Sequence, residues 1–294
     1  MPVEELTVPV SGGRLAALRW PAADPAAPTV VASHGMLANA EAWALVAEAL
    51  AGRVALVAPD LRGRARSAAL PGPFGLARHA ADVLELTRGL TDGPVVLAGH
   101  SMGAWVTALA AADAPELVRA VVLVDGGVSL PPPAGVPRNQ VLATVLGPSL
   151  ARLALTFPSL DAYRDYWAAH PVWPSIEPAV RERYIARDLV GSGERLRSSC
   201  TPEAAQTDGL QVLLDADAAA AVRRLRCPAE LIWAERGLLD QPTGFYDEQR
   251  LAEADLAATT LTTSRLPDSN HYSVLMGRAG AALVAERILA AAAG

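Results

Sequence analysis

The composition is that of a globular protein, and it excludes several classes of function. The chain has 294 residues, of which 51% are hydrophobic. It can therefore bury a large core, in one large domain or in a core with an insertion. The formal net charge is −6 and all 25 cationic residues are arginines. An acidic chain with no basic cluster lacks the positive surface that binds nucleic acid or an anionic membrane, so we expect neither partner.

The N-terminus and the cysteines indicate a cytoplasmic protein. The opening "MPVEELTVPV" has acidic residues where a secretory signal is basic. No apolar run reaches the roughly 18 residues of a membrane helix. Cys200 and Cys227 have neither metal-ligand spacing nor a disulfide framework, so we expect two reduced thiols and no metal.

Strand and helix patterns alternate along most of the chain. "ELTVPV" and "GRLAALRW", separated by Ser11-Gly12, predict an N-terminal hairpin at a sheet edge. Continuous apolar runs predict buried strands at 28–35, 53–60, 94–101, 118–126 and 229–235. Helical patterns lie at 40–51, 76–91, 102–113 and 212–225. This alternation predicts an α/β fold with a mostly parallel, doubly wound sheet.

The alternation stops between residues 129 and 210, a segment that we call the insertion. It is rich in Pro, Trp and Tyr and gives no strand pattern. We predict a helical cap, or lid, inserted after the strand that ends at Asp125, with residues 1–128 and 211–294 forming the core. Ligands bind at the carboxyl edge of such sheets, so the insertion is expected to wall a pocket, with Trp105, Trp167 and Trp173 in contact with substrate. The alternative is a structural helical appendage. Aromatic residues at helical spacing also commonly belong to the core rather than contact a ligand.

The stretch "VVLAGHSMGAWVTALAA", residues 95–111, joins a buried strand to a helix through one serine between two glycines. A sharp strand-to-helix turn lifts Ser101 above the sheet edge, and glycines relieve steric clashes there. The helix that follows also presents backbone N–H groups, so the N–H of Met102 can bind an oxyanion. We therefore predict that Ser101 is a catalytic nucleophile.

Four motifs together resemble the serine-nucleophile, esterase/lipase-like branch of the α/β-hydrolase superfamily. These are "GHSMG", the His-Gly loop "SHGMLANAEAW", the turn "PDLRGRARS" and the histidine loop "SNHYSVLMG". Ala65 departs from the usual glycine in the third motif. The resemblance implies the α/β-hydrolase fold, a Ser-His-acid triad without a cofactor, and a second oxyanion donor in the N–H of Met36.

His271 is the predicted base among the five histidines. It follows the last strand pattern, "TLTTSRLPDS", and precedes the final helix, in the Ser, acid, His order of this fold. His34 and His100 are interpreted as structural. His79 lies in a helix pattern, and His170 lies in the insertion.

The acid of the triad has more than one candidate in the sequence. The resemblance implies an aspartate after "AELIWAE", but Gly237 stands there. Asp125, at the end of "VVLVDGG", matches the acid position of a minority of the superfamily and is favoured. Asp240 is the alternative, and Glu235 ranks below both.

The predicted function is hydrolysis of a carboxylic ester or lactone through an acyl-enzyme, on a small-molecule substrate with an apolar moiety. The same triad would also serve carbon–carbon bond or thioester hydrolysis. A third hypothesis is a non-catalytic ligand-binding protein that keeps the fold. The sequence leaves the oligomeric state open.

Overall fold

The computed structural model describes residues 3–129, 131, 135–254 and 256–294. The strands are β1 Glu4–Val10, β2 Gly13–Trp20, β3 Thr29–Ser33, β4 Ala55–Pro59, β5 Val95–His100, β6 Val118–Val124, β7 Leu189–Val190, β8 Arg197–Ser198, β9 Ala229–Arg236 and β10 Leu261–Asn270. Eight of them form a central sheet in the order β1-β2-β4-β3-β5-β6-β9-β10, and β7 pairs with β8 in a two-stranded sheet. Strands β1 and β2 run antiparallel to their neighbours, and the other strands of the large sheet are parallel.

The helices that the structure describes connect these strands. They are α1 Ala44–Leu50, α2 Leu76–Leu90, α3 Met102–Asp113, α4 Val141–Ala151, α5 Leu160–Ala168, α6 Pro178–Asp188, α7 Pro202–Leu214, α8 Ala216–Ala220, α9 Glu248–Glu253, α10 Ser273–Met276 and α11 Arg278–Ala293. Among the described residues, no helix is long and apolar enough to span a membrane.

The sheet separates two apolar cores, as the continuous apolar strands predict. Because successive side chains of a strand point to opposite faces, Val31 packs with α2 and α3, while Val30 packs with α1 and α11. The N-terminal hairpin and all five predicted parallel strands are present, with ends shifted by at most two residues. The predicted doubly wound sheet is therefore confirmed.

The predicted helix 212–225 is wrong. Helix α7 ends at Leu214 and α8 begins at Ala216. Between them the carboxylate of Asp215 accepts a hydrogen bond from the N–H of Ala218 and caps α8. A residue that caps the N-terminus of a helix needs an extended backbone, so Asp215 interrupts the single helix that the apolar periodicity predicts.

The insertion lies between β6 and β9 and is mainly helical, but it also contains the β7–β8 pair. Each of these strands has two residues, too few for an alternating pattern to show. Helix α7 runs through residue 210, the predicted end of the insertion. The function of this segment as a lid stays a prediction.

Candidate active site

Ser101 occupies a strained turn at the centre of the sheet. It lies directly between β5 and α3, with φ 54° and ψ −128°. This backbone conformation is sparsely populated by residues with a side chain and is retained only where the surroundings enforce it. The N–H of Ser101 donates to the carbonyl oxygen of Val124 at 2.9 Å, which ties the turn to the end of β6. The side chain reaches the cavity described below.

The two flanking glycines permit close packing rather than the turn's dihedral angles. A Cβ atom at Gly99 would lie 2.2 Å from the carbonyl oxygen of Gly103, and one at Gly103 would lie 2.2 Å from that of Ser33. Neither glycine has a positive φ. The strain is carried by Ser101 itself, while the glycines allow α3 to lie against β5 and β3.

His271 and Asp125 meet beside this turn, 146 positions apart in the sequence. His271 follows β10 and Asp125 follows β6, so both lie at the carboxyl edge of the sheet. The Nδ1 of His271 lies 2.6 Å from Oδ2 of Asp125, and both side chains are buried. The other carboxylate oxygen, Oδ1, accepts a hydrogen bond from the N–H of Ala234 at 3.1 Å. Two hydrogen bonds thus fix the carboxylate toward the Nδ1 of His271.

Asp240, the alternative acid, lies on the other side of the histidine loop. Its Oδ1 accepts hydrogen bonds from Arg236 Nε at 2.7 Å and from Asn270 Nδ2 at 2.8 Å. These two bonds hold the pKa of Asp240 below its usual range. Among the described contacts, Asp240 has none with His271. Glu235 likewise binds the surface residues Arg265 and Asp268. Of the three candidates, only Asp125 contacts the imidazole.

His100 holds the backbone of His271, a contact that the sequence did not predict. Its Nε2 lies 2.8 Å from the carbonyl oxygen of His271, and the two rings lie 4.7 Å apart. Burial, followed by the proximity of His271, holds the pKa of His100 well below its usual range. A neutral His100 donates its Nε2–H to that carbonyl and so fixes the backbone of His271. Its position immediately before Ser101 was the only signal in the sequence.

The 34–38 loop lies against the serine. A Cβ atom at Gly35 would be 3.5 Å from the hydroxyl oxygen of Ser101. The N–H of Met36 has no hydrogen-bond acceptor among the described residues. The N–H of Met102 lies in the first turn of α3, where amides have no acceptor within the helix. These two amides are the candidate oxyanion donors.

His34 orients the peptide that carries the Met36 N–H. Its Nε2 accepts from the N–H of Leu61 at 2.9 Å, so Nδ1 carries the proton and donates to the carbonyl oxygen of Gly35 at 2.7 Å. Burial lowers the pKa of His34 to about 3, which keeps the ring neutral. Because the peptide is planar and trans, holding the Gly35 carbonyl directs the Met36 N–H to the opposite side.

A cavity of about 580 Å³ opens on these groups. Ser101, His271 and the 34–38 loop line one part of it. The rest of the wall is mainly apolar and comes from α3, α4, α7 and the segment before α9, through Trp105, Val145, Leu146, Val212, Leu213 and Phe245. Among the described residues, no cluster of three or more His, Cys, Asp or Glu side chains is arranged to hold a metal ion.

The prediction for two of the three tryptophans is wrong. Trp105 lines the cavity and donates its Nε1–H to Ser129 Oγ at 2.8 Å, but Trp167 and Trp173 lie outside the wall. Their rings pack on each other at 5.7 Å, in an aromatic cluster with Tyr163 and Tyr184. Trp167 is buried and Trp173 is half-buried in the apolar core that also contains α1, α10 and α11. These rings therefore contribute to the core, as aromatic residues at helical spacing often do.

Comparison with known proteins places this site within a family. Residues 30–286 match the profile of the "Alpha/beta hydrolase family", which is most of the chain. The chain belongs to this family. The resemblance of the four motifs to the α/β-hydrolase superfamily is thereby confirmed, together with the fold that it implies.

The relatives differ in the reactions that their names describe. "Putative carbamate hydrolase RutD" of Klebsiella pneumoniae (strain 342) is 34% identical over 113 residues, which is 38% of this chain and 42% of that protein. "Lipase LipV" of Mycobacterium tuberculosis is 35% identical over 101 residues, which is 34% of this chain and 38% of that protein. The matches thus span about two fifths of the length of these relatives.

A solved structure matches over the whole length. The crystal structure of E-2-(acetamidomethylene)succinate hydrolase superposes with a TM-score of 0.81, covers 100% of both chains and is 21% identical. An identity this low shows a shared fold and leaves the substrate open.

Proposed function

We propose that this protein is a serine hydrolase that cleaves a carboxylic ester or lactone through an acyl-enzyme. The observation that carries the proposal is the buried His271–Asp125 contact of 2.6 Å, at the cavity end that also holds Ser101. An imidazole oriented by a carboxylate is the base that a serine hydroxyl needs in order to become a nucleophile.

In the first half-reaction the Ser101 oxygen attacks the substrate carbonyl carbon, and Nε2 of His271 takes the hydroxyl proton. The carbonyl oxygen becomes an alkoxide, which the N–H groups of Met36 and Met102 bind. As the tetrahedral intermediate collapses, the bond to the leaving alcohol breaks and His271 returns the proton to that oxygen. For a lactone, the leaving alcohol stays attached to the acyl group.

In the second half-reaction water replaces the serine. His271 removes a proton from water, the hydroxide oxygen bonds to the acyl carbon, and the proton passes to Ser101 as the carboxylic acid leaves. Asp125 stabilises the imidazolium in both steps through its bond to Nδ1, and each oxyanion donor contributes about 3 kcal/mol to transition-state stabilisation.

The cavity wall indicates a substrate with an apolar moiety. Aliphatic side chains of α4 and α7 and the rings of Trp105 and Phe245 form most of the surface away from Ser101. Such a wall favours an apolar group because burial removes it from water, at about 25 cal/mol per Å².

The test combines covalent labelling with a substrate panel. A fluorophosphonate probe reacts only with an activated serine, so labelling of the wild type that disappears in Ser101→Ala supports an active site. We would then measure turnover by both proteins on p-nitrophenyl esters of increasing chain length, lactones, acyl-thioesters, aryl carbamates and a vinylogous diketone.

Two results would overturn the proposal. Absence of labelling in a folded wild-type protein would indicate a ligand-binding protein without turnover. Labelling with turnover confined to thioesters, carbamates or the diketone would assign the same residues to another hydrolysis. Turnover of esters or lactones that depends on Ser101 is the expected result.

A further inference from the structure

Three successive carbonyl groups of the 34–38 loop are held in place by buried side chains. The carbonyl oxygen of Gly35 accepts from His34, as described above, and also from the N–H of Ala38 at 3.2 Å. The next two carbonyls, those of Met36 and Leu37, each accept a hydrogen bond from a buried guanidinium. The loop therefore depends on charged groups outside its own sequence.

Arg64 holds the first of these two carbonyls. Its Nε donates to the carbonyl oxygen of Met36 at 3.0 Å, and its side chain has no exposed surface. Its Nη2 lies 2.5 Å from Oδ2 of Asp208, on α7, where His79 also binds at 2.9 Å. Burial alone would raise the pKa of Asp208, but Arg64 and His79 outweigh it and hold that pKa below its usual value. An ionised carboxylate from the insertion thus compensates the buried guanidinium.

Arg152 holds the carbonyl of Leu37. It lies in the insertion just after α4, and its Nη2 donates to the carbonyl oxygen of Leu37 at 3.1 Å. Its Nη1 pairs with Asp188, the last residue of α6. The hydroxyl groups of Ser198 and Ser199 each donate to Asp188 Oδ1 at 2.9 Å. Hydrogen bonds on both sides therefore fix this second guanidinium.

We propose that Arg64 and Arg152 are positioning residues for oxyanion stabilisation, and that the insertion takes part in catalysis through Asp208 and Asp188. The inference rests on the proposed function. The two peptide groups that follow the Met36 N–H are each anchored by an arginine, and each arginine is anchored by an aspartate of the insertion. The segment predicted to select substrates thereby also sets the position of an oxyanion donor.

The physical reason lies in the sensitivity of an oxyanion hole to small displacements. Donors stabilise the alkoxide only when they lie within about 0.2 Å of their preferred distance near 2.9 Å. A displacement of about 1 Å at a catalytic group can lower the rate about 100-fold. A loop without regular secondary structure has no ladder of hydrogen bonds to prevent such a displacement, so its carbonyls need other donors.

Arg62 provides a matched control within the same turn. It is as buried as Arg64, and it pairs with Asp82 through Nε at 2.9 Å and Nη2 at 2.8 Å. It too holds two backbone carbonyls, those of Ser11 and Pro71, but both belong to loops outside the cavity wall. Loss of Arg62 therefore removes the same kind of interaction without touching the 34–38 loop.

The experiment compares Arg64→Lys, Arg152→Lys and Asp208→Asn with Arg62→Lys and the wild type. Lysine keeps the charge but loses the planar fork that reaches a carbonyl and a carboxylate together. For each protein we would measure Tm, then kcat and KM on the best substrate of the panel. We would also measure the Ki of a trifluoromethyl ketone analogue of that substrate and the Ki of the corresponding alcohol.

The ketone distinguishes positioning from stability. It adds to the serine and places an oxyanion in the hole, whereas the alcohol only fills the cavity. We expect kcat to fall about 10- to 100-fold in the three test variants, with KM changed less than about threefold. The Ki of the ketone should rise in proportion to the loss of kcat/KM, and that of the alcohol should stay constant.

Arg62→Lys is expected to lower Tm about as much as Arg64→Lys while leaving kcat and both Ki values unchanged. Equal losses of kcat in the control and test variants, or a ketone Ki that does not follow kcat/KM, would overturn the inference. If Arg64→Lys does not fold, the nearly isosteric Asp208→Asn and the separate Arg152→Lys decide by the same criteria. Absence of Ser101-dependent hydrolysis in the wild type would instead refute the proposed function.

Discussion

Asp125→Asn perturbs the proposed triad with little change of shape. In the wild type, Oδ1 accepts from the N–H of Ala234 at 3.1 Å, and Oδ2 lies 2.6 Å from Nδ1 of His271. An asparagine that keeps the first bond must direct its amide nitrogen at the imidazole. That NH₂ group only donates, so Nδ1 must accept and the ring proton moves to Nε2. The nitrogen that should take the proton of Ser101 then has no lone pair.

The opposite orientation of the amide does not restore the base. If the amide oxygen of the substituted side chain faced His271, its NH₂ group would face the N–H of Ala234. Two buried donors would then be left without an acceptor. Each unsatisfied buried donor costs about 1–3 kcal/mol, so the inactive tautomer is favoured. The imidazolium also loses its counter-charge. We expect kcat to fall about 10⁴-fold, which corresponds to about 5 kcal/mol of transition-state stabilisation.

The assay is hydrolysis of the best p-nitrophenyl ester, with Tm measured in parallel to confirm folding. Asp240→Asn is the control, because it removes a carboxylate that contacts Asn270 rather than His271. Its kcat should fall less than about tenfold, consistent with a role of Asp240 in supporting the loop that carries Asn270. Members of one catalytic unit are strongly non-additive, so adding Asp125→Asn to His271→Ala should change kcat little. A single variant that keeps a tenth of kcat, or full additivity in the double variant, would refute the assignment.

Three further predictions test the nucleophile, the packing of the turn and the pH dependence of stability. Ser101→Ala should lower kcat at least about 10⁴-fold with Tm unchanged, as measured on the same ester. Gly103→Ala should lower the urea-unfolding free energy by about 3 kcal/mol, because its Cβ would lie 2.2 Å from the Ser33 oxygen, whereas Gly147→Ala, in open space, should change it by less than about 1 kcal/mol. The folded-state pKa of His34 is about 3 against 6.5 in the unfolded chain, so its stabilising contribution is complete above pH 6.5 and decreases as pH falls toward 3. Urea titrations should show a shallower acid slope for His34→Gln, by up to about 1.4 kcal/mol per pH unit, and an unchanged slope would contradict the assignment.

The sequence predicts the sheet well because each strand carries its own signal. A strand that is buried on both faces must be apolar throughout, so five runs locate the parallel strands within two residues. The predicted ends of helices are wrong where a single polar side chain caps a helix inside a periodic stretch. Asp215 ends one helix and caps the next inside a stretch whose periodicity is continuous.

The candidate site is only partly predictable, for a different reason. Ser101 and His271 stand next to sequence landmarks, a strand-to-helix turn and a strand end. The sequence favours Asp125 as the acid but does not exclude Asp240, because both follow strands at the same edge of the sheet. Which of them reaches the imidazole depends on how each loop turns. Asp125 has a φ of 45°, a conformation that no local sequence pattern announces.

The buried ion pairs are the interactions farthest beyond the reach of sequence. Arg64 and Asp208 are far apart in the chain and lie in segments with different patterns, so neither shows that the other is its partner. Their arrangement also changes what the insertion is expected to do. A lid that only selects substrates could be removed at the expense of specificity. Here removal would take Asp208 away from the guanidinium of Arg64 and would also delete Arg152. The 34–38 loop would lose the donor to its Leu37 carbonyl and the carboxylate that holds the donor to its Met36 carbonyl. We therefore expect the proposed hydrolysis to depend on the insertion.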